Sequence, residues 1–211
     1  MRALFALCLL AAPVSLAGQA LSQQTPSQGS GPVRSLLEIR QANVVIQKWD
    51  VSCGAAALAS ILTYQHGYPV SERNIAQDML QRTDPMRVKY RGGFSLLDLK
   101  RYAESKGFKA AAYAGVQLPD LEKFGPAIVP IISHGYPHFV VFRQRIGGLV
   151  LLADPAFGNR SISEEEFGRV WQSNIAFVVR RRDARPAPNR LGAQQQDLLR
   201  TPSDAVRRAL R

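Results

Sequence analysis

The chain has 211 residues, of which 46% are hydrophobic and 20% charged, with a formal net charge of +11. That balance suits one domain with a buried core and excludes wholesale disorder. The charge is uneven: residues 180–211 hold nine Arg and three Asp, so the basic balance is largely terminal and makes no case for nucleic acid as a partner.

Arg2 followed by the apolar run Ala3 to Val14 reads as the start of a secretory signal over residues 1–20, with small residues at Ala17 and Ala20 for cleavage. The run is too short to span a bilayer, and no integral membrane segment is expected once it is removed. Leu7 is bulky where a lipoprotein signal wants a small residue, so Cys8 is expected to leave with the signal. The mature, periplasmic chain then keeps a single cysteine, Cys53. A lone thiol in an oxidising compartment needs a reason, either catalysis or inert burial.

Residues 21–32 are rich in Gln, Ser, Gly and Pro and read as a flexible linker. A domain over 33–182 follows. Cys53 to Gln65 is small and apolar almost all round, which predicts a buried helix with Ser52 as its N-cap and Gly67 and Pro69 beyond its end. Ser71 to Gln81 predicts an amphipathic helix with Ile75, Met79 and Leu80 inward. Ser95 with Asp98 forms a capping box before a third helix, whose apolar face is Leu96, Leu97, Leu99, Tyr102 and Ala103.

From Phe108 the period changes to that of strands. These are expected at 108–114, 127–132, 138–144, 149–154 and 175–181, with a tight hairpin at Gly147-Gly148 and a short helix capped by Ser163 and Glu166. Helices first and strands second predict an α+β fold. The Arg-, Pro- and Gln-rich tail over 183–211 is expected to be mobile.

Cys53 sits at a predicted helix N-terminus, where the first N–H groups and the dipole favour a thiolate. Gly54 leaves space beside the sulfur. His138 opens a strand and Asp154 ends the next strand of the same hairpin. Plain hairpin register leaves Asp154 three residues short of the position opposite His138, so a bulge or twist is required. A carboxylate there fixes the imidazole tautomer, although Asp154-Pro155 is equally a turn signal. Gln47, six residues before Cys53, carries an amide able to donate to an oxyanion. Trp49 and Asp50 lie between them and are candidates to shape the cleft. His134 and His138 have a chelating spacing only on a helix, which Gly135 and Pro137 exclude, so no metal site is expected. His66 reads as a helix C-terminal residue facing the dipole.

Gln47-Lys-Trp-Asp-Val-Ser-Cys53-Gly-Ala-Ala-Ala-Leu-Ala-Ser-Ile-Leu, then His138-Phe-Val-Val-Phe, then Asp154-Pro155, resembles the double-glycine leader peptidases, the bacteriocin-processing cysteine peptidases. The resemblance covers about Val44 to Val179. It implies a papain-like fold, no cofactor, Cys53 as nucleophile, His138 as base, Asp154 as orienting acid and Gln47 in the oxyanion hole. The best-known members are domains of ABC exporters; this sequence carries no P-loop pattern and is closer to the stand-alone periplasmic branch encoded with functional-amyloid secretion. The implied partners are a secreted polypeptide, amyloid subunits or an outer-membrane secretion pore. The competing reading is a non-catalytic, peptidase-like binding module.

Overall fold

The structure is a computed structural model, and residues 35–183 and 188–193 are described. The expected signal, linker and most of the tail lie outside these residues. Helices come first: α1 (Leu36–Gln41), α2 (Cys53–Ser60), α3 (Glu72–Leu80), α4 (Pro85–Arg91) and α5 (Leu96–Ser105). The strands are β1 (Phe108–Tyr113), β2 (Ala127–Ser133), β3 (Tyr136–Ile146), β4 (Leu149–Asp154), β5 (Gly158–Ser163) and β6 (Ala176–Arg181), with α6 (Leu118–Phe124) and α7 (Glu164–Val170) between them. All pairings are antiparallel in one sheet of order β1-β6-β2-β3-β4-β5.

The sheet is covered on both faces. On one, Leu58, Leu62, Ile75, Met79 and Leu99 pack with Phe108, Ile128, Val141 and Phe177. On the other, Leu121, Phe167 and Trp171 close over Val129, Val140, Phe142, Val150 and Leu152. Double coverage explains why β2, β3 and β4 read as continuous apolar runs and not as alternating ones.

The predicted helices and strands occur, with informative differences. The helix from Cys53 passes into a π-helical turn over Ile61–Gln65. Leu80 and Leu97 are 40% and 52% exposed, so the apolar faces of α3 and α5 are narrower than the sequence suggests. α1, α4, α6 and β5 were not anticipated; the three helices have only six or seven residues, too few to display a period. α4 nonetheless carries a legible signal, Asp84 as N-cap with Pro85 at its first position. Ser52, expected to cap α2, makes no side-chain cap.

Residues 188–193 depart from the expected mobile tail. Leu191 is fully buried, Arg190 N–H donates to Tyr64 O at 2.9 Å, and the carbonyls of Leu191 and Gly192 accept from Arg143 Nε and Nη2 at 2.8 and 2.9 Å. One apolar residue and a row of backbone groups that match a buried guanidinium are enough to dock a segment whose composition is otherwise polar.

Candidate active site

Cys53 is the first residue of α2 and is buried, as are all eight residues of that helix. The helix is anchored on β3 at the next position. A Cβ on Gly54 would meet Phe139 Cδ2 at 3.3 Å and Leu99 Cδ1 at 3.5 Å. The space beside Gly54 therefore belongs to helix–sheet packing and does not open toward a substrate, which corrects the sequence expectation. Because Phe139 abuts Gly54, the neighbouring His138 arrives beside Cys53.

β3 starts at Tyr136, two residues earlier than expected, and His138 lies opposite Ile131 of β2. The pairing of β3 with β4 runs Ile146↔Leu149, Arg145↔Val150 and Gln144↔Leu151, then shifts to Phe142↔Leu152 and Val141↔Ala153. Arg143 is the extra residue of this bulge. Without it, Asp154 would fall opposite Val141, three residues from His138 and on the other face of the sheet. With it, Asp154 falls opposite Val140, two residues from His138 and on the same face, because side chains alternate with a period of two. Diagonal neighbours of that kind are within reach of each other. His138 Nε2 and Asp154 Oδ1 are 2.7 Å apart.

Cys53 acts electrostatically on the same imidazole. Since Nε2 is committed to Asp154, Nδ1 is the atom left to exchange a proton with the sulfur. Burial disfavours the imidazolium, but the hydrogen bond to Asp154, the interaction with Cys53 and the charges of both outweigh it, and the His138 pKa is pushed up to about 9. Asp154 has no exposed surface. Burial alone would raise its pKa, yet the bond and charge of His138, the Arg160 guanidinium and the Ala156 N–H hold it below the usual carboxylate value. Arg160 Nε donates to Asp154 Oδ2 at 2.9 Å, and Ala156 N–H donates to Oδ1 at 2.9 Å. Asp154 thus fills both roles weighed for it, the histidine partner and the head of a turn.

Gln47 lies on the loop before α2. Its Nε2 donates to Trp49 O at 3.1 Å, which leaves the second amide N–H for another acceptor. Its backbone N–H donates to Pro155 O at 2.8 Å, tying this loop to the turn after Asp154. Trp49 is 45% exposed and Asp50 is exposed on the same loop. Gly158, after that turn, has φ +78, and an added Cβ would lie 2.4 Å from Arg40 O. Glycine is required there for the end of α1 to close over the site's base.

The other marked histidines lie elsewhere. His134 is exposed in the β2–β3 turn and packs on Phe157, their ring centroids 5.5 Å apart. Among the described residues no group of three His, Cys, Asp or Glu could hold a metal ion. His66 is the C-cap of the stretch that ends at Gln65, the helix C-terminal place expected for it, and its buried ring lies with Nε2 3.0 Å from Val179 O of β6. Burial, set against that bond and joined by Arg181 and Arg180, lowers its pKa.

Arg160, Arg143 and Glu72 were not singled out from the sequence. Arg160 follows Asp154 by six residues, and only the β4–β5 turn makes them neighbours. Lone charged residues in polar segments give no sign of burial.

Helices packed on an antiparallel sheet, with a helix-terminal cysteine beside a strand histidine, define the papain-like peptidase fold. The chain belongs to the peptidase C39 family, whose model matches residues 41–183. It is 44% identical over 148 residues to a probable functional amyloid protease FapD of Pseudomonas aeruginosa, covering 70% of this chain and 64% of that protein. A second protein of that name, from Pseudomonas fluorescens, is 39% identical over 84% of this chain and 79% of its own length. Among solved structures, a double glycine motif protease from an AMS/PCAT transporter, in complex with the leader peptide, matches with a TM-score of 0.53 and 27% identity, over 65% of this chain and 90% of that one. The chain therefore spans a little under two thirds of the first relative and over three quarters of the second.

Proposed function

We propose that the protein is an exported cysteine endopeptidase that cleaves a peptide bond in a secreted polypeptide by acyl-enzyme chemistry. The observation that carries this reading is the 2.7 Å bond from His138 to a fully buried Asp154, on an imidazole whose pKa Cys53 also helps to raise. His138 holds, as imidazolium, the proton that the thiol gives up, and the sulfur attacks the scissile carbonyl. The free Gln47 amide N–H and the Cys53 backbone N–H receive the oxyanion. The imidazolium then protonates the leaving amine, and water releases the acyl group from sulfur.

The substrate class draws support from the relatives. Two are called probable functional amyloid proteases, and one structural neighbour holds a leader peptide. A subunit of a functional-amyloid secretion system, or a leader peptide, is the substrate proposed, with an outer-membrane pore as the proposed neighbour in the assembly. Trp49 and Asp50, exposed on the loop before Cys53, are proposed to meet the bound peptide. A binding module has no use for a buried ion pair directed at a thiol.

The test is cleavage of the secreted partner by single variants. Cys53→Ala abolishes turnover and keeps the fold, and His138→Ala is nearly as severe. Gln47→Ala lowers kcat about 100-fold with little change in KM. Adding His138→Ala to Cys53→Ala costs almost nothing further, since the residues act as one unit. Full function in Cys53→Ala would make the protein a binding module.

A further inference from the structure

Glu72 is a buried carboxylate that the proposed chemistry does not use. It is the first residue of α3, held there by the Ser71 N-cap, and is 3% exposed. α3 is fixed in turn by Ile75 and Met79, both buried in the core. A carboxylate at this end of a helix is favoured by the dipole. Its oxygens accept from the Lys48 backbone N–H at 3.0 and 3.2 Å, and Oε1 forms a short hydrogen bond with the Ser52 hydroxyl. With the single hydroxyl proton of Ser52 given to this carboxylate, the Ser52 backbone N–H donates at 3.2 Å to Trp49 O, the carbonyl that receives Gln47 Nε2.

The loop from Gln47 to Cys53 is thus pinned at both of its inner positions by one side chain from a different helix. This explains why Ser52 does not cap α2: its hydroxyl is engaged by Glu72. It also explains which way the Gln47 amide faces. Trp49 O can only accept, so Nε2 must point toward it, and Oε1 is left buried without a partner among the described residues. Gln47 is held in that orientation only if the Trp49 carbonyl is itself held.

We propose that Glu72 is a positioning residue for oxyanion stabilisation: through Lys48, Ser52 and the Trp49 carbonyl it sets the Gln47 amide for the developing negative charge. This rests on the role assigned to Gln47 above. Glu72 touches no reacting atom and acts only through the loop.

The test compares two reactions of Cys53 in the full chain. Acylation by p-nitrophenyl acetate passes through an oxyanion, whereas alkylation by iodoacetamide forms none. Glu72→Leu is expected to slow acylation by about 30- to 100-fold, the scale of one lost oxyanion donor, and to leave alkylation within about twofold. Combined with Gln47→Ala it is expected to be no slower than Gln47→Ala alone. Glu72→Gln, which keeps one acceptor oxygen, and Ser52→Ala, which removes the hydroxyl that Glu72 holds, should show the same selective loss at about 10-fold. If Glu72→Leu does not fold, these two decide the matter. Native acylation rates in the folded variants overturn the inference, as do equal losses in both reactions or multiplicative effects with Gln47→Ala. A native rate in Gln47→Ala itself rejects the oxyanion role of Gln47, and the inference with it; a slow Gln47→Ala beside fast Glu72 variants rejects the inference alone.

Discussion

The protonation of His138 couples stability to pH. Its pKa is raised from 6.5 to about 9, so its contribution to stability is present in full below pH 6.5 and is lost as pH rises through about 9. By linkage that contribution is on the order of 3 kcal/mol. Thermal unfolding between pH 6 and pH 10 should therefore show a marked alkaline loss in the native protein that is absent in His138→Ala. Asp154→Asn removes the main group opposing the effect of burial. It should move the alkaline limb of kcat to lower pH, because the imidazolium needed to protonate the leaving amine is lost earlier. An unmoved limb in Asp154→Asn would show that Asp154 acts on the turn and not on the imidazole. Against burial, the bond and charge of His138 and then the Arg160 guanidinium hold this carboxylate below its usual pKa.

At the scale of elements, the bulge and the docked tail segment form one device. Arg143 supplies the extra residue that turns an odd offset between His138 and Asp154 into an even one. Its guanidinium, 4% exposed, is met by Leu191 O, Gly192 O and Asn159 Oδ1. Truncation after Asp183 would remove two of these acceptors and expose the space under Leu191. Burying a leucine side chain contributes about 1.5–3 kcal/mol, and stripping acceptors from a buried charge costs at least as much again. The truncated chain should melt on the order of 10 °C lower, read by circular dichroism. Leu191→Ala should account for about 2–3 kcal/mol of this. An unchanged melting temperature on truncation would mean that the segment rests on the sheet without holding it.

Within the described residues, a helical layer, a sheet and a second set of short helices leave the candidate site where α2 begins and where β3 and β4 carry His138 and Asp154. No helix among the described residues is long and apolar enough to cross a membrane. The export proposal predicts that the protein recovered from the periplasm begins after Ala17 or Ala20. N-terminal sequencing that finds Met1 intact, or a lipid on Cys8, would contradict it.

The sequence by itself determined the change from helices to strands near Phe108, the helix that starts at Cys53, the hairpin joining His138 to Asp154 and the need for a bulge within it. These follow from local propensity, periodicity and chain spacing, which a sequence carries directly. It also carried the resemblance that links Cys53, His138, Asp154 and Gln47. Only the tertiary structure decided that Arg143 is the bulged residue, that Gly54 serves packing, that Ser52 bonds Glu72 and that residues 188–193 dock. Each depends on a distant partner: Glu72 lies 20 residues from Ser52, Leu191 48 from Arg143, and Phe139 85 from Gly54 (139 − 54). Such partners are chosen by the fit of buried charges and backbone groups in three dimensions, and no local pattern in the chain encodes that fit.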